Sequence, residues 1–263
     1  MVRLGQNFLA DTNLLDAIVR EAALGRDDVV LEVGGGEGAL TGELASRVAT
    51  VHVIELDERL RPALEAVRAE HGNVALHFAD AMRCELAALE PAPTRIVANL
   101  PYAIATPLII RTIAELAGVS SWTLMVQREI ADRLRAPAGS KTYGSPSVIV
   151  QLACEVRLLR GVDRAVFTPR PRVDSALIAL RRIGPAPSAP IAKLVRDGFA
   201  HRRKSLARSL EHARPGIRDS VRAALQGLEL PADARAEQLS PAQFVGLARA
   251  LGLEPAATMG AKP

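Results

Sequence analysis

Asn99-Leu100-Pro101-Tyr102 is the stretch of this 263-residue chain whose residue types point most directly to chemistry. It follows Arg95-Ile96-Val97-Ala98, a short apolar run that reads as a buried strand. Proline at 101 removes a donor and stops the strand, and it pushes Leu100 toward an extended backbone. Carbonyls near the turn are then left to accept hydrogen bonds from something other than protein. Asn99 adds a side-chain carbonyl and Tyr102 a flat ring. Two acceptors and a stacking surface suit a planar amine. Alone, the stretch reads equally well as a strand end with an Asx-type turn, so its surroundings decide.

Three other groups sit just past predicted strand ends. Asp28 to Val33 reads as a strand, Gly34-Gly35-Gly36-Glu37-Gly38 follows, and Ala39 to Arg47 reads as a helix. A strand, a glycine-rich turn and a helix N-terminus present backbone N–H groups to a ligand. Gly34, Gly36 and Ala39 satisfy the dinucleotide pattern G-x-G-x-x-G/A, while Glu32 to Gly38 fits the E-x-G-x-G-x-G form that leans toward S-adenosylmethionine. Val51 to Ile54 is the second strand and ends at Glu55-Leu56-Asp57, with Glu55 21 positions beyond Gly34. A carboxylate there can accept from both hydroxyls of a ribose that carries no phosphate. Asn73 to Phe78 is the third strand and ends in Asp80-Ala81, where an Asp can accept from an adenine amine. Ligands of open α/β sheets gather at the carboxyl ends of strands, so the coincidence of Gly34, Glu55, Asp80 and Asn99 outweighs any one of them.

Helices are expected over Asn13 to Glu21, Glu58 to Glu70, and after Thr106-Pro107, with Thr106 as N-cap. Trp122 to Gln127, Val148 to Leu159 and Ser175 to Ile183 read as strands, and Arg128 to Leu134 as a short helix. Gly5-Gln6-Asn7-Phe8-Leu9 reads either as a lid over a ligand or as a lead-in to the first helix. Phe167-Thr168-Pro169-Arg170-Pro171-Arg172-Val173-Asp174-Ser175 is stiffened by alternate prolines. It could hold Phe167 as a second stacking face, with Arg170 and Arg172 toward phosphates, or bury Phe167 as a core anchor.

Pro185-Ala186-Pro187-Ser188-Ala189-Pro190 reads as a linker. Beyond it the pattern is helical over Ile191 to Leu210, Gly216 to Leu228 and Ser240 to Leu251. Arg202, Arg203 and Lys204, with Arg208 one turn on, form a basic stripe on the first of these, suited to neutralising phosphates. Two domains are expected, 1–184 and 185–263. The first carries 21 Lys/Arg against 22 Asp/Glu and the second 12 against 7, so the basic excess lies in the helical part and suggests a polyanion partner. No apolar run is long enough for a membrane span, the N-terminus lacks a secretory signal, and neither cysteines nor histidines show metal spacing. A soluble cytoplasmic protein without a metal is expected.

In this order these motifs resemble the small-subunit (16S) ribosomal RNA adenine dimethyltransferases, the family tied to kasugamycin sensitivity. Those carrying the likeness are Gly5 to Leu9, Glu32 to Thr41, Glu55-Leu56-Asp57, Asp80-Ala81, Asn99 to Tyr102, Phe167 to Ser175 and the basic segment His201 to Leu206. The resemblance implies a Rossmann-like class I methyltransferase, α/β, with a mostly parallel seven-stranded sheet and a small C-terminal all-helical domain. It implies S-adenosylmethionine as cofactor, held by Gln6, Asn7, Leu9, Gly34, Gly36, Glu55, Leu56, Asp80, Ala81 and Asn99. Asn99, Leu100, Pro101, Tyr102 and Phe167 would grip an adenine amine, and Arg170, Arg172, Arg202, Arg203, Lys204 and Arg208 would contact RNA. The partner implied is ribosomal RNA in an immature small subunit, with the protein monomeric. The macrolide-resistance methyltransferases of large-subunit RNA share the architecture and rank second. A dinucleotide-binding oxidoreductase or a non-catalytic assembly factor are readings from other classes. This chain departs from the family's pattern at Gly35, where proline is common, and at Ala103 and Ala105, where polar residues are common. The first departure predicts a softer loop and the others weaker contacts near the target base.

Overall fold

The computed structural model describes residues 8–9 and 11–253. The chain divides into two compact units: residues 1–132 with 154–185, and residues 133–153 with 186–263. The 1–184 stretch is thus not one piece, because residues 133–153 belong with the C-terminal helices.

The first unit carries a seven-stranded sheet. Its parallel strands are β2 (Val29–Val33), β3 (Thr50–Glu55), β4 (Val74–Phe78), β5 (Arg95–Asn99) and β6 (Ser121–Gln127). The edge is completed by β7 (Cys154–Val162) and β9 (Ser175–Arg182), and the order is β4-β3-β2-β5-β6-β9-β7, with β9 antiparallel to both neighbours. The order reverses between β2 and β5, the point where such sheets open a crevice for ligands. β2 is buried at every position, as a central parallel strand requires. A second, two-stranded sheet pairs β1 (Phe8–Leu9) antiparallel with β8 (Phe167–Thr168). Sequence leaves the opening segment as lid or lead-in, and the pairing ties it to the proline-stiffened loop.

The helices of this unit are α1 (Thr12–Ala22), α2 (Ala39–Ala45), α3 (Arg61–His71) and α4 (Ala105–Glu115). Asp11 caps α1 by accepting from the Leu14 N–H at 2.9 Å. α4 starts two residues earlier than the Thr106 cap predicts, with Ile104 before it and no side-chain cap. Ala105 is fully buried there, so it is packing and not a contact to substrate, while Ala103 is exposed.

After α5 (Arg128–Leu134), the second unit opens with α6 (Ser145–Ala153), where the sequence predicts the start of a strand. The run Val148-Ile149-Val150 is β-branched, yet all three residues are buried among helices. The Ser147 hydroxyl accepts from the Gly144 N–H at 3.0 Å and donates to the Arg133 carbonyl at 2.6 Å, which winds the turn. Tertiary burial overrides the strand propensity. The helix predicted over Ile191 to Leu210 is also divided, into α7 (Ala189–Phe199) and α8 (Leu206–Ala213). Their apolar faces pack together at Gly198, where a Cβ would lie 2.8 Å from Leu206 Cδ1. The chain must turn between them, and His201 to Lys204 make that turn. α9 (Arg218–Gly227) and α10 (Pro241–Ala250) follow, the latter with a capping box between Ser240 and Gln243. Among the described residues no helix is long and apolar enough to cross a membrane.

Candidate active site

Four neighbouring parallel strands of the first unit, β4, β3, β2 and β5, present their carboxyl ends along one edge of the sheet, and the order reverses between the last two. The Gly34 N–H donates to the Ile54 carbonyl at 2.8 Å, holding the glycine loop against the end of β3. Gly34 has φ +83°, and a Cβ there would lie 3.4 Å from Pro101 Cδ and 3.6 Å from the Asn99 carbonyl oxygen. The glycine loop and the Asn99–Tyr102 corner therefore face each other across a gap that a side chain would fill. The Glu55 carboxylate is buried; Oε2 accepts from the Gly36 N–H at 3.0 Å and Oε1 from the Asp57 N–H at 2.8 Å. Each carboxylate oxygen retains a lone pair for a further donor. The Ala79 N–H donates to the Glu55 backbone carbonyl at 3.0 Å, so the chain enters the Asp80 turn next to the end of β3. Leu56, next to Glu55, is 54 % exposed.

Asn99 ends β5 opposite Met125 of β6, and the Leu100 N–H is committed to the Met125 carbonyl at 3.1 Å. The Pro101 carbonyl accepts from the Ile104 N–H at 3.1 Å, closing the corner. Tyr102 is held by its hydroxyl, 2.6 Å from Ser175 Oγ at the buried start of β9. Burial raises the Tyr102 pKa above that of an ordinary phenol, against the opposing effect of Ser175, so the ring stays neutral.

Beneath the glycine loop, Glu32 is buried and accepts a 2.6 Å bond from the Thr41 hydroxyl. Burial pushes its pKa to about 8; the Thr41 bond opposes this and the nearby Glu55 charge adds to it. Glu32 is thus a neutral acid at neutral pH. The glycine at 35 also has a steric reason that its sequence does not disclose: a Cβ would lie 2.5 Å from Val53 Cγ1 and 3.1 Å from Leu64 Cδ2. The loop is tightly seated there, not soft.

Other predicted site residues fall differently. Gln6 and Asn7 lie outside the described residues, and Leu9 is described only through its backbone pairing with Phe167. Ala81 is buried. Phe167 is 3 % exposed and belongs to the apolar cluster of Leu14, Ile18, Met125 and Leu177. Its ring is a core anchor, and the stacking-face reading is set aside because neither face of the ring is open. Arg170 and Arg172 are exposed, with Arg170 3.8 Å from Asp163. In the second unit Arg202, Arg203 and Lys204 occupy the turn before α8, not a helical stripe, and Arg208 is exposed on α8. The Lys204 ammonium is 2.5 Å from His212 Nε2, and Arg202 donates to the Lys141 carbonyl at 3.3 Å. Nothing in the sequence marks Thr41 or Ser175 as site residues, because a hydroxyl's partner is set by the fold.

The family described as ribosomal RNA adenine dimethylase matches residues 2–251. The chain belongs to the ribosomal RNA adenine dimethylase family. It is 44% identical over 250 residues to a Ribosomal RNA small subunit methyltransferase A of Rubrobacter xylanophilus, covering 94% of this chain and 93% of that one. A relative of the same name from Lactiplantibacillus plantarum is 37% identical over 94% of this chain and 88% of its own. A solved dimethyladenosine transferase from Plasmodium falciparum superposes with a TM-score of 0.80 at 25% identity, covering 94% of this chain and 98% of that chain. The 23S rRNA methyltransferase ErmE does so with a TM-score of 0.70 at 30% identity, covering 94% and 100%. This dimethylase is a Rossmann-like class I enzyme, an S-adenosylmethionine-dependent rRNA adenine N-methyltransferase. Membership sets aside the oxidoreductase reading of the glycine loop.

Proposed function

We propose that the protein methylates the exocyclic amines of two adjacent adenosines near the 3′ end of small-subunit ribosomal RNA, acting on the immature subunit in the cytoplasm as a monomer. The observation carrying the site assignment is the apposition of Gly34 to Asn99 and Pro101 where the sheet order reverses. The names of the relatives at 37–44% identity support the choice of small-subunit RNA. The likeness to ErmE makes large-subunit RNA the control substrate.

The donor set fits the cofactor. Glu55, whose carboxyl oxygens each retain a lone pair, would accept from the ribose hydroxyls; Asp80 would accept from the adenine amine; Leu56 would cover the adenine. The Gly34–Gly36 backbone would lie along the methionine end, with Gln6, Asn7 and Leu9 completing that side. S-adenosylmethionine supplies an electrophilic methyl on a sulfonium. The chain's own work is to hold the nucleophile. An adenine amine is a poor nucleophile because its lone pair is delocalised into the ring. Asn99 Oδ1 and the Leu100 carbonyl would accept its two hydrogens, favour a pyramidal nitrogen and free that lone pair. Tyr102, fixed through Ser175, would stack on the base. Positioning is the main source of rate here, and no side-chain nucleophile is needed. The base must be single-stranded or flipped to reach the corner. Arg170, Arg172, Arg202, Arg203, Lys204 and Arg208 would neutralise phosphates.

The test is methyl incorporation from labelled S-adenosylmethionine into immature small subunits from cells lacking their own enzyme, with large subunits in parallel. Incorporation confined to two adjacent adenosines of the small-subunit RNA supports the proposal. Incorporation into large-subunit RNA alone overturns it.

A further inference from the structure

Arg111, on the helix that leaves the Asn99–Tyr102 corner, is a residue no motif singles out. Its side chain is 17 % exposed, and its guanidinium spans two backbone carbonyls: Nη1 donates to Ala81 O and Nη2 to Cys84 O, each at 2.6 Å. Nε donates to Glu115 at 2.8 Å, which holds the fork in place. The two carbonyls belong to the turn that carries Asp80. In that turn the Asp80 carbonyl accepts from the Arg83 and Cys84 N–H groups, each at 2.9 Å. Asp80 Oδ1 accepts from the Met82 N–H at 2.8 Å.

The Ala81 carbonyl and the Met82 N–H are two ends of one peptide unit. In a planar trans peptide they point in opposite directions. Arg111 therefore grips the outer end of the peptide whose inner end holds the Asp80 carboxylate. A cation on the carbonyl polarises the N–H and strengthens its bond to the acid. Among the described residues, the charged partner of Oδ2 is the Arg83 guanidinium, 3.5 Å away on an 87 % exposed side chain, a pair that water screens.

We infer that Arg111 is a positioning residue for adenine recognition: through the 81–82 peptide it fixes the carboxylate of Asp80 and so sets the enzyme's preference for a cofactor bearing a 6-amino group. This rests on the assignment of Asp80 to the adenine amine. A brace with no effect on recognition would lower stability and leave the preference intact.

The experiment measures the dissociation constants of S-adenosylhomocysteine and of S-inosylhomocysteine, in which a carbonyl replaces the amine. They are read by calorimetry on wild type, Arg111→Ala, Arg111→Met, Arg111→Lys and Asp80→Ala, with thermal unfolding followed alongside. A hydrogen bond to a charged group implies that wild type prefers the adenine form by about tenfold or more. Arg111→Met, which keeps the packing without donors, should cut that ratio by about fivefold, and Arg111→Lys should restore part of it, since an ammonium can serve one carbonyl but not span two. An unchanged ratio in whichever of the Ala and Met variants folds overturns the inference. An unchanged ratio in Asp80→Ala overturns the assignment of Asp80 itself, and the role of Arg111 with it. Loss of preference in Asp80→Ala but not in Arg111→Met leaves Asp80 in place and removes Arg111.

Discussion

Replacing Glu32 by glutamine tests the neutral acid beneath the glycine loop. An unfolded glutamate ionises near 4.5, whereas burial holds the native carboxyl protonated to about 8. Between those pH values the native state carries one more proton than the unfolded chain. Stability from this group is therefore complete below pH 4.5 and is lost as pH rises through 8, at about 1.4 kcal/mol per pH unit. From pH 5 to pH 8 the loss is about 4 kcal/mol. The Thr41 bond works the other way, but a hydrogen bond to a charged group contributes only about 1.5–3 kcal/mol, less than the cost of a buried carboxylate. In Glu32→Gln the amide oxygen still accepts from Thr41 and nothing titrates. The assay is urea unfolding of both proteins at pH 5, 6, 7 and 8, with the difference between them taken at each pH so that all other titrations cancel. The difference should move in the variant's favour by about 4 kcal/mol across the range. A difference that stays constant from pH 5 to pH 8 would refute the reasoning, because the native carboxyl would then titrate like an unfolded one.

Asn99→Ala should lower turnover by about 10²-fold with cofactor binding less affected, by analogy with removal of one preorganised polar group; single-turnover methylation at saturating RNA measures it, and near-normal rates would remove Asn99 from the reaction. Gly35→Ala should destabilise by about 1–3 kcal/mol through its 2.5 Å approach to Val53 Cγ1, a stiff β-branched neighbour. Adding Val53→Ala should recover part of that loss in denaturant melts, so strictly additive penalties would show that the clash is not with Val53. Arg202→Ala and Lys204→Ala should weaken RNA binding and lessen its log–log salt slope by about one unit each. Filter binding between low and moderate salt reads that slope, and an unaltered slope would return the turn to a solvated role.

How much of this was legible beforehand follows from which interactions are local. Residues Asp28–Val33, Val51–Ile54 and Arg95–Ala98 announce buried strands by apolar content alone, and each strand ends within a residue or two of a Gly, Glu or Asn that hydrophobic burial could not explain. That local punctuation, in order along the chain, carries the family resemblance, and the resemblance in turn implies the fold class and the cofactor. The boundaries that failed were those set by packing. Val148 to Val150 read as a strand because β-branched residues favour one, and they fold as a helix because the second unit buries that helix on its apolar side. The basic stripe became a turn because α7 and α8 close on each other at Gly198. Phe167, balanced between stacking surface and core, is core because the cluster around Leu14 and Met125 encloses it.

Sequence by itself determined which chemical groups stand at the strand tips, since these follow from residue type and from the short range of turn and strand preferences. Only the tertiary structure decided what holds those groups in place: Thr41 on Glu32, Ser175 on Tyr102, Arg111 on the Asp80 turn. Each of these bonds joins residues separated by 9 to 73 positions. A lone hydroxyl or guanidinium carries no mark of its acceptor until the chain has folded and the sheet has set the two side by side.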